Sequence, residues 1–124
     1  MQEIFSKNNI PKKICNNFTH PKVTEYKLLV NNNGIEMKLC LTKCANCIVY
    51  RELNGIKTKI FDSVNVLNKD KIVYIDKDVK NNNVYYYYAV PYYTFNNKTY
   101  FGNEKFLGKI KYNCPELDNW WIDN

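Results

Sequence analysis

From Val23 onward the chain is a succession of short apolar or alternating runs, separated by turn residues. The clearest run, "IEMKLCL", places Ile35, Met37, Leu39 and Leu41 on one face and polar or small residues on the other, the period of a half-buried strand. "VTEYKLLV" (Val23–Val30) precedes it across an "NNNG" turn. "CIVYREL" follows and is closed by Asn54-Gly55, a strong signal for a two-residue hairpin. "IKTKIF" answers it, and "KIVYI", "VYYYYAVPYY" and "KFLGKIKY" (Lys105–Tyr112) complete the series. No stretch carries capped helical periodicity. Seven short strands at spacings near ten residues predict an all-β, antiparallel sandwich of about 90 residues.

The sixth strand holds six of the eleven tyrosines. The run that contains it, "VYIDKDVKNNNVYYYYAV", resembles the E strand, E–F corner and F strand of a fibronectin type III domain. "CIVYREL-NG" is similar to that family's C strand and C–C′ hairpin, "GIEMKLCLT" to its strand B, and Pro21 to the start of its strand A. Leu39 or Leu41 stands where the family carries a strand-B tryptophan, and Cys47 where an aromatic opens strand C. The resemblance covers roughly residues 21–112 and implies a seven-stranded, immunoglobulin-like sandwich. Residues 1–20 then form an N-terminal arm and 113–124 a C-terminal tail. On this reading Val84, Tyr86, Tyr88, Val90 and Tyr92 face the core. Tyr86 is the expected tyrosine corner, its hydroxyl bonded back to the E–F turn, with Tyr85 as the alternative. Tyr85, Tyr87 and Tyr93 then face outward and are candidate contact residues, because exposed aromatics give large contact area at little ordering cost. Pro91, unable to donate in a ladder, reads as a bulge or as the point where the strand leaves a partner.

Composition changes this picture only modestly. The 124 residues carry a net charge of +6, and 17 lysines stand beside a single arginine, Arg51, and 20 asparagines. This is the residue usage of an AT-rich genome more than that of a basic binding surface. A weak, salt-sensitive affinity for nucleic acid follows from charge alone, but bidentate base or phosphate contacts prefer arginine. No specific nucleic-acid partner is therefore expected. No apolar run reaches the length of a membrane span, and the first 15 residues lack a signal-like apolar core. An intracellular location, or assembly into a virion or surface structure, is the expectation.

Catalytic chemistry finds no support: the one histidine, His20, lies beside Pro21 without a nucleophile motif, and four glycines form no phosphate loop. Asp76 and Asp78 read as shapers of the E–F corner, since a calcium loop needs more oxygen ligands. Cys40, Cys44 and Cys47 are spaced C-x3-C-x2-C. Only Cys44 and Cys47 have zinc-ligand spacing, and no second pair exists, so no metal or cofactor is expected; Cys44 and Cys47 would be the ligands if zinc were bound. Mostly reduced thiols in a reducing compartment are the simplest reading, with one or two disulfides as an alternative; the odd count leaves at least one free thiol if bridges form. Both tryptophans, Trp120 and Trp121, sit in the acidic tail "PELDNWWIDN", and tryptophan is enriched where interfaces concentrate their energy. Taken together these features predict a non-enzymatic protein–protein interaction or assembly module, a small structural or accessory subunit contacting neighbouring subunits. A nucleic-acid- or zinc-binding regulatory protein is the alternative.

Overall fold

The computed structural model describes residues 20–66 and 71–113. The tail with Trp120 and Trp121, Cys15, Cys114 and nearly all of the N-terminal arm lie outside the described residues.

Among the described residues eight antiparallel strands form, in the order β1 (Val23–Asn31), β2 (Gly34–Leu41), β3 (Asn46–Leu53), β4 (Ile56–Asp62), β5 (Lys71–Asp76), β6 (Val84–Phe95), β7 (Lys98–Phe101) and β8 (Lys105–Lys111). Among the described residues the only helical element is a single 3-10 turn, Ser63–Asn65. None of their helices is long and apolar enough to cross a membrane.

The turns follow from local backbone chemistry. Asn54 and Gly55 have φ of 52° and 82°, the two left-handed residues that a tight hairpin requires. Asn96 and Asn97 do the same at 52° and 65°. That second hairpin creates β7, a strand absent from the seven expected. Four residues offer too short a pattern to register, and Asn-Asn is hard to read as punctuation in so asparagine-rich a chain.

The strands divide into two sheets, one ordered β1-β2-β5 and the other built on β4-β3-β6. The far edge of β6 is shared, with β8 pairing Val84 to Ala89 and β7 pairing Tyr92 to Phe95. Pro91 lies between those two stretches. Its carbonyl accepts from the Gly102 amide at 2.8 Å, so its hydrogen-bonding side faces the gap, not β3. The missing donor therefore leaves the β3 ladder intact.

The inner faces of the two sheets pack on each other. Ile35, Met37, Leu39 and Leu41 of β2, together with Ile72 of β5, meet Cys47 and Val49 of β3, Tyr85, Tyr87 and Ala89 of β6, and Leu107 of β8 in one buried cluster. The face expected of β2 is thus the buried one. The face expected of β6 is reversed. Tyr85, Tyr87 and Tyr93 are inside, at 1%, 0% and 5% exposure, and are not outward contact residues, while Tyr86 and Tyr88 lie on the outer side and are only partly buried.

Register explains the reversal. Cys47 and Val49 face inward, and they pair with Pro91 and Ala89; cross-strand partners share a face, so the odd-numbered residues of β6 point in. Within "VYYYY" there is no apolar-to-polar contrast to reveal this, and the two valines, Val84 and Val90, proved to be outward residues.

Candidate functional site

The inner side of β6 ends in a polar cluster. Tyr85 makes the corner bond expected of Tyr86: its hydroxyl accepts from the Lys80 amide at 2.8 Å and from Asn83 Nδ2 at 3.2 Å. Tyr86 makes no such bond. Beside it, Asp76 is a carboxylate with only 2% exposure. Arg51 Nη1 donates to both its oxygens, at 2.9 and 3.1 Å, Tyr87 donates to Oδ2 at 2.7 Å, and the Asp78 amide donates to Oδ1 at 3.2 Å. Gly34 permits this packing: a Cβ there would collide with the Asp76 carbonyl, and its φ of 145° also favours glycine.

A buried charge persists only when paired and hydrogen-bonded in this way. Burial alone would lower the Arg51 pKa, but its hydrogen bond to Asp76 and the charges of Asp76 and Asp78 raise it above its ordinary value. Burial, reinforced by Asp76, pushes the Tyr87 phenol well above the usual tyrosine range. The chain's single arginine is therefore committed to holding the corner. Asp76 and Asp78 shape that corner, as the sequence suggested.

The outer face of the larger sheet is different in kind. Tyr50 pairs with Tyr88 across β3 and β6, and Phe106 with Tyr88 across β6 and β8. Ring centroids are 5.4 Å apart for Tyr88–Phe106 and 6.5 Å for Tyr86–Phe106. Further along the same face Tyr92 meets Phe101 at 5.8 Å and donates to Asp62 Oδ1 at 2.6 Å. Phe101 and Phe106 remain 57% and 49% exposed.

Lysines roof this aromatic strip. Lys57 Nζ is 4.0 Å from the Tyr88 ring centroid and 6.0 Å from that of Tyr50, and Lys109 Nζ is 5.8 Å from that of Tyr86, within the range of cation–π attraction. Lys57 also bonds Glu104 at 2.9 Å, and Tyr88 donates to Glu52 at 3.0 Å. The hydrogen bond to Glu104, above all, raises the Lys57 pKa, and the one to Glu52 raises that of Tyr88. Such a surface combines exposed apolar area with charges at its rim.

No family model matches the chain, and neither the curated proteins nor the solved structures yield a match.

An aromatic strip does occur, but on the side of β6 opposite to Tyr85, Tyr87 and Tyr93, and it is built with partners from other strands. Sequence reasoning missed Tyr50, Tyr88 and Phe106. The usable signal was Phe106 itself, a large apolar residue flanked by Lys105 in a strand that otherwise alternates with lysine.

The conditional zinc pair does not fit. Cys44 is disulfide-bonded, which removes it as a thiolate ligand and is the disulfide alternative at this position. Cys47 is a free thiol with no exposure. Burial, with a smaller contribution from Asp62, pushes its pKa up to about 12 against the opposing hydrogen bond from Ser63. With Cys44 in a disulfide, the pair cannot supply two thiolates to one metal. Cys40 is a partly exposed free thiol on the smaller sheet, and among the described residues no cluster of three or more His, Cys, Asp or Glu could hold a metal.

Proposed function

We propose that the chain is a non-enzymatic interaction or assembly module, a fibronectin type III-like, immunoglobulin-type sandwich serving as a small structural or accessory subunit of a virion or surface assembly. The observation that carries the reading is the aromatic strip on the outer face of the larger sheet, with Phe101 and Phe106 both more than 45% exposed and Lys57 and Lys109 over the Tyr88 and Tyr86 rings. Aromatic residues beside charged rims are the composition of interface cores, and contiguous exposed apolar surface commonly marks a site of contact. The family likeness is supported by strand order: β1, β2 and β5 stand where strands A, B and E would, β4, β3, β6 and β8 where C′, C, F and G would, with β7 as an addition between F and G. It is further supported by the corner bond of Tyr85.

The alternative, a nucleic-acid- or zinc-binding regulatory protein, draws on the same lysines. Arg51, the one side chain suited to bidentate phosphate or base contacts, is held by Asp76, which leaves this alternative only lysine point charges.

The reading is tested by purifying tagged wild-type chain and its Phe106→Ser variant from the native source under matched conditions. Both should unfold at nearly the same temperature, and only the wild type should retain its co-purifying protein. An identical partner set for the two chains would remove this face from the function, and partners that vanish on nuclease treatment would favour the alternative.

A further inference from the structure

The outer face has a charge pattern that a specific segment of this sequence complements. Lys57 and Lys59 project from β4, opposite Glu52 and Tyr50, and Lys109 and Lys111 from β8, opposite Tyr86 and Val84. Cross-strand partners share a face, so these four ammonium groups flank the aromatic strip on both sides. Among the described residues no carboxylate pairs with Lys109 or Lys111. Residues 115–124, "PELDNWWIDN", contain three carboxylates, no basic residue and both tryptophans of the chain.

We propose that the outer face of the larger sheet receives residues 115–124 of a second copy of this chain, an inference that rests on the assembly reading above. Two adjacent tryptophans in an extended segment point to opposite sides. Lying on one flat sheet, the segment buries one ring and leaves the other wet. Held between two sandwiches it buries both, and this favours a second copy over the chain's own domain. Glu116, Asp118 and Asp123 then draw Lys57 and Lys109 from the rings they roof, exchanging exposed cation–π contacts for ion pairs while indole replaces ammonium over Tyr88 and Tyr86. Such exchange joins steering by opposite charge to burial of aromatic anchors.

The exit of the chain is compatible with this handover. Tyr112 is fixed beside the E–F turn, its amide donating to the Asn83 carbonyl at 2.9 Å, its carbonyl accepting from the Asn82 amide at 2.8 Å, and its hydroxyl donating to the Asn31 carbonyl at 2.9 Å. Eleven residues follow Asn113, and about 3.3 Å per extended residue gives them reach of roughly 36 Å, enough to cross to a neighbouring sandwich.

The test uses full-length chain throughout. Equal amounts of nitrogen-15-labelled and unlabelled chain are mixed, treated with a zero-length carbodiimide cross-linker and mapped by mass spectrometry. The expected links join Lys57, Lys59, Lys109 or Lys111 to Glu116, Asp118 or Asp123 in mixed-isotope pairs. Links between these residues in same-isotope pairs alone would place the tail on its own domain and overturn the proposal. Mixed-isotope links elsewhere would overturn this receptor face while leaving the assembly reading standing, and no links at all would also overturn it. Sedimentation velocity supplies the second arm. Lys109→Glu with Lys111→Glu should abolish self-association, and Glu116→Lys with Asp118→Lys in the same chain should restore it. Association unaffected by the first pair, or unrestored by the second, contradicts the proposed contact.

Discussion

The two sides of β6 carry the same residue type under opposite conditions. Inward, Tyr85 and Tyr87 are fully buried, and each phenol has a fixed partner: Lys80 and Asn83 for one, Asp76 for the other. Outward, Tyr86 and Tyr88 lie beneath lysine ammonium groups and beside a half-exposed phenylalanine. A buried hydroxyl without a partner costs more than its bond contributes, so the inner tyrosines are tied to one geometry. The outer ones can change partners at little cost, because water or a ligand can replace what they lose. Stability and contact are therefore divided between two faces of a single strand, and substitutions should separate them.

The largest effect is expected on the inner side. Asp76→Ala leaves Arg51 and the Tyr87 hydroxyl without their partner and should cost about 3–5 kcal/mol, the usual penalty for breaking a buried pair, read from urea unfolding. A loss below about 1 kcal/mol would show that the cluster is solvated. Next, Tyr85→Phe should cost about 1–3 kcal/mol as the Lys80 amide loses its acceptor, and Tyr86→Phe close to nothing. Equal midpoints for the two variants would erase the distinction between the faces.

How far the sequence revealed this arrangement differs from strand to strand. β2 was fully legible, because Ile35, Met37, Leu39 and Leu41 alternate with polar or small neighbours. The Asn54-Gly55 hairpin was legible because its two residues tolerate positive φ. β6 was not, because four consecutive tyrosines offer equal hydrophobicity to both faces; its orientation is fixed by register with β3, distant in sequence, and by the bond from Tyr87 to Asp76 across the intervening turn. For the same reason the outer strip escaped notice. Tyr50, Tyr88 and Phe106 belong to three strands, and only sheet pairing brings them together.

Alkaline pH provides a further contrast. Cys47, Tyr87 and Tyr92 all have pKa values raised chiefly by burial, with Asp62 or Asp76 adding to the effect. A raised folded-state pKa means that the unfolded chain releases the proton first, so this stability is complete below the unfolded pKa and is lost as pH rises toward the folded value. Starting near the ordinary cysteine value of 9.0 and continuing to about 12 for Cys47, stability should fall by about 1.4 kcal/mol per pH unit for each group titrating. Unfolding midpoints measured from pH 8 to 11 check this, and Cys47→Ala should flatten the earliest part of the slope. A flat profile in the wild type would contradict the burial of these groups. Smallest of all, Lys57→Ala should change stability by only about 0.2–1 kcal/mol, since it removes one exposed ion pair and exposed cation–π contacts with Tyr88 and Tyr50.

Hydroxyl-radical footprinting of the full-length chain, read residue by residue by mass spectrometry at a concentration where it is monomeric, tests the division of β6 most directly. Tyr86, Tyr88 and Phe106 should oxidise readily while Tyr85 and Tyr87 are protected, and protection should spread to the first three when the chain assembles. Oxidation of Tyr85 and Tyr87 with protection of Tyr86 and Tyr88 in the monomer would contradict that division.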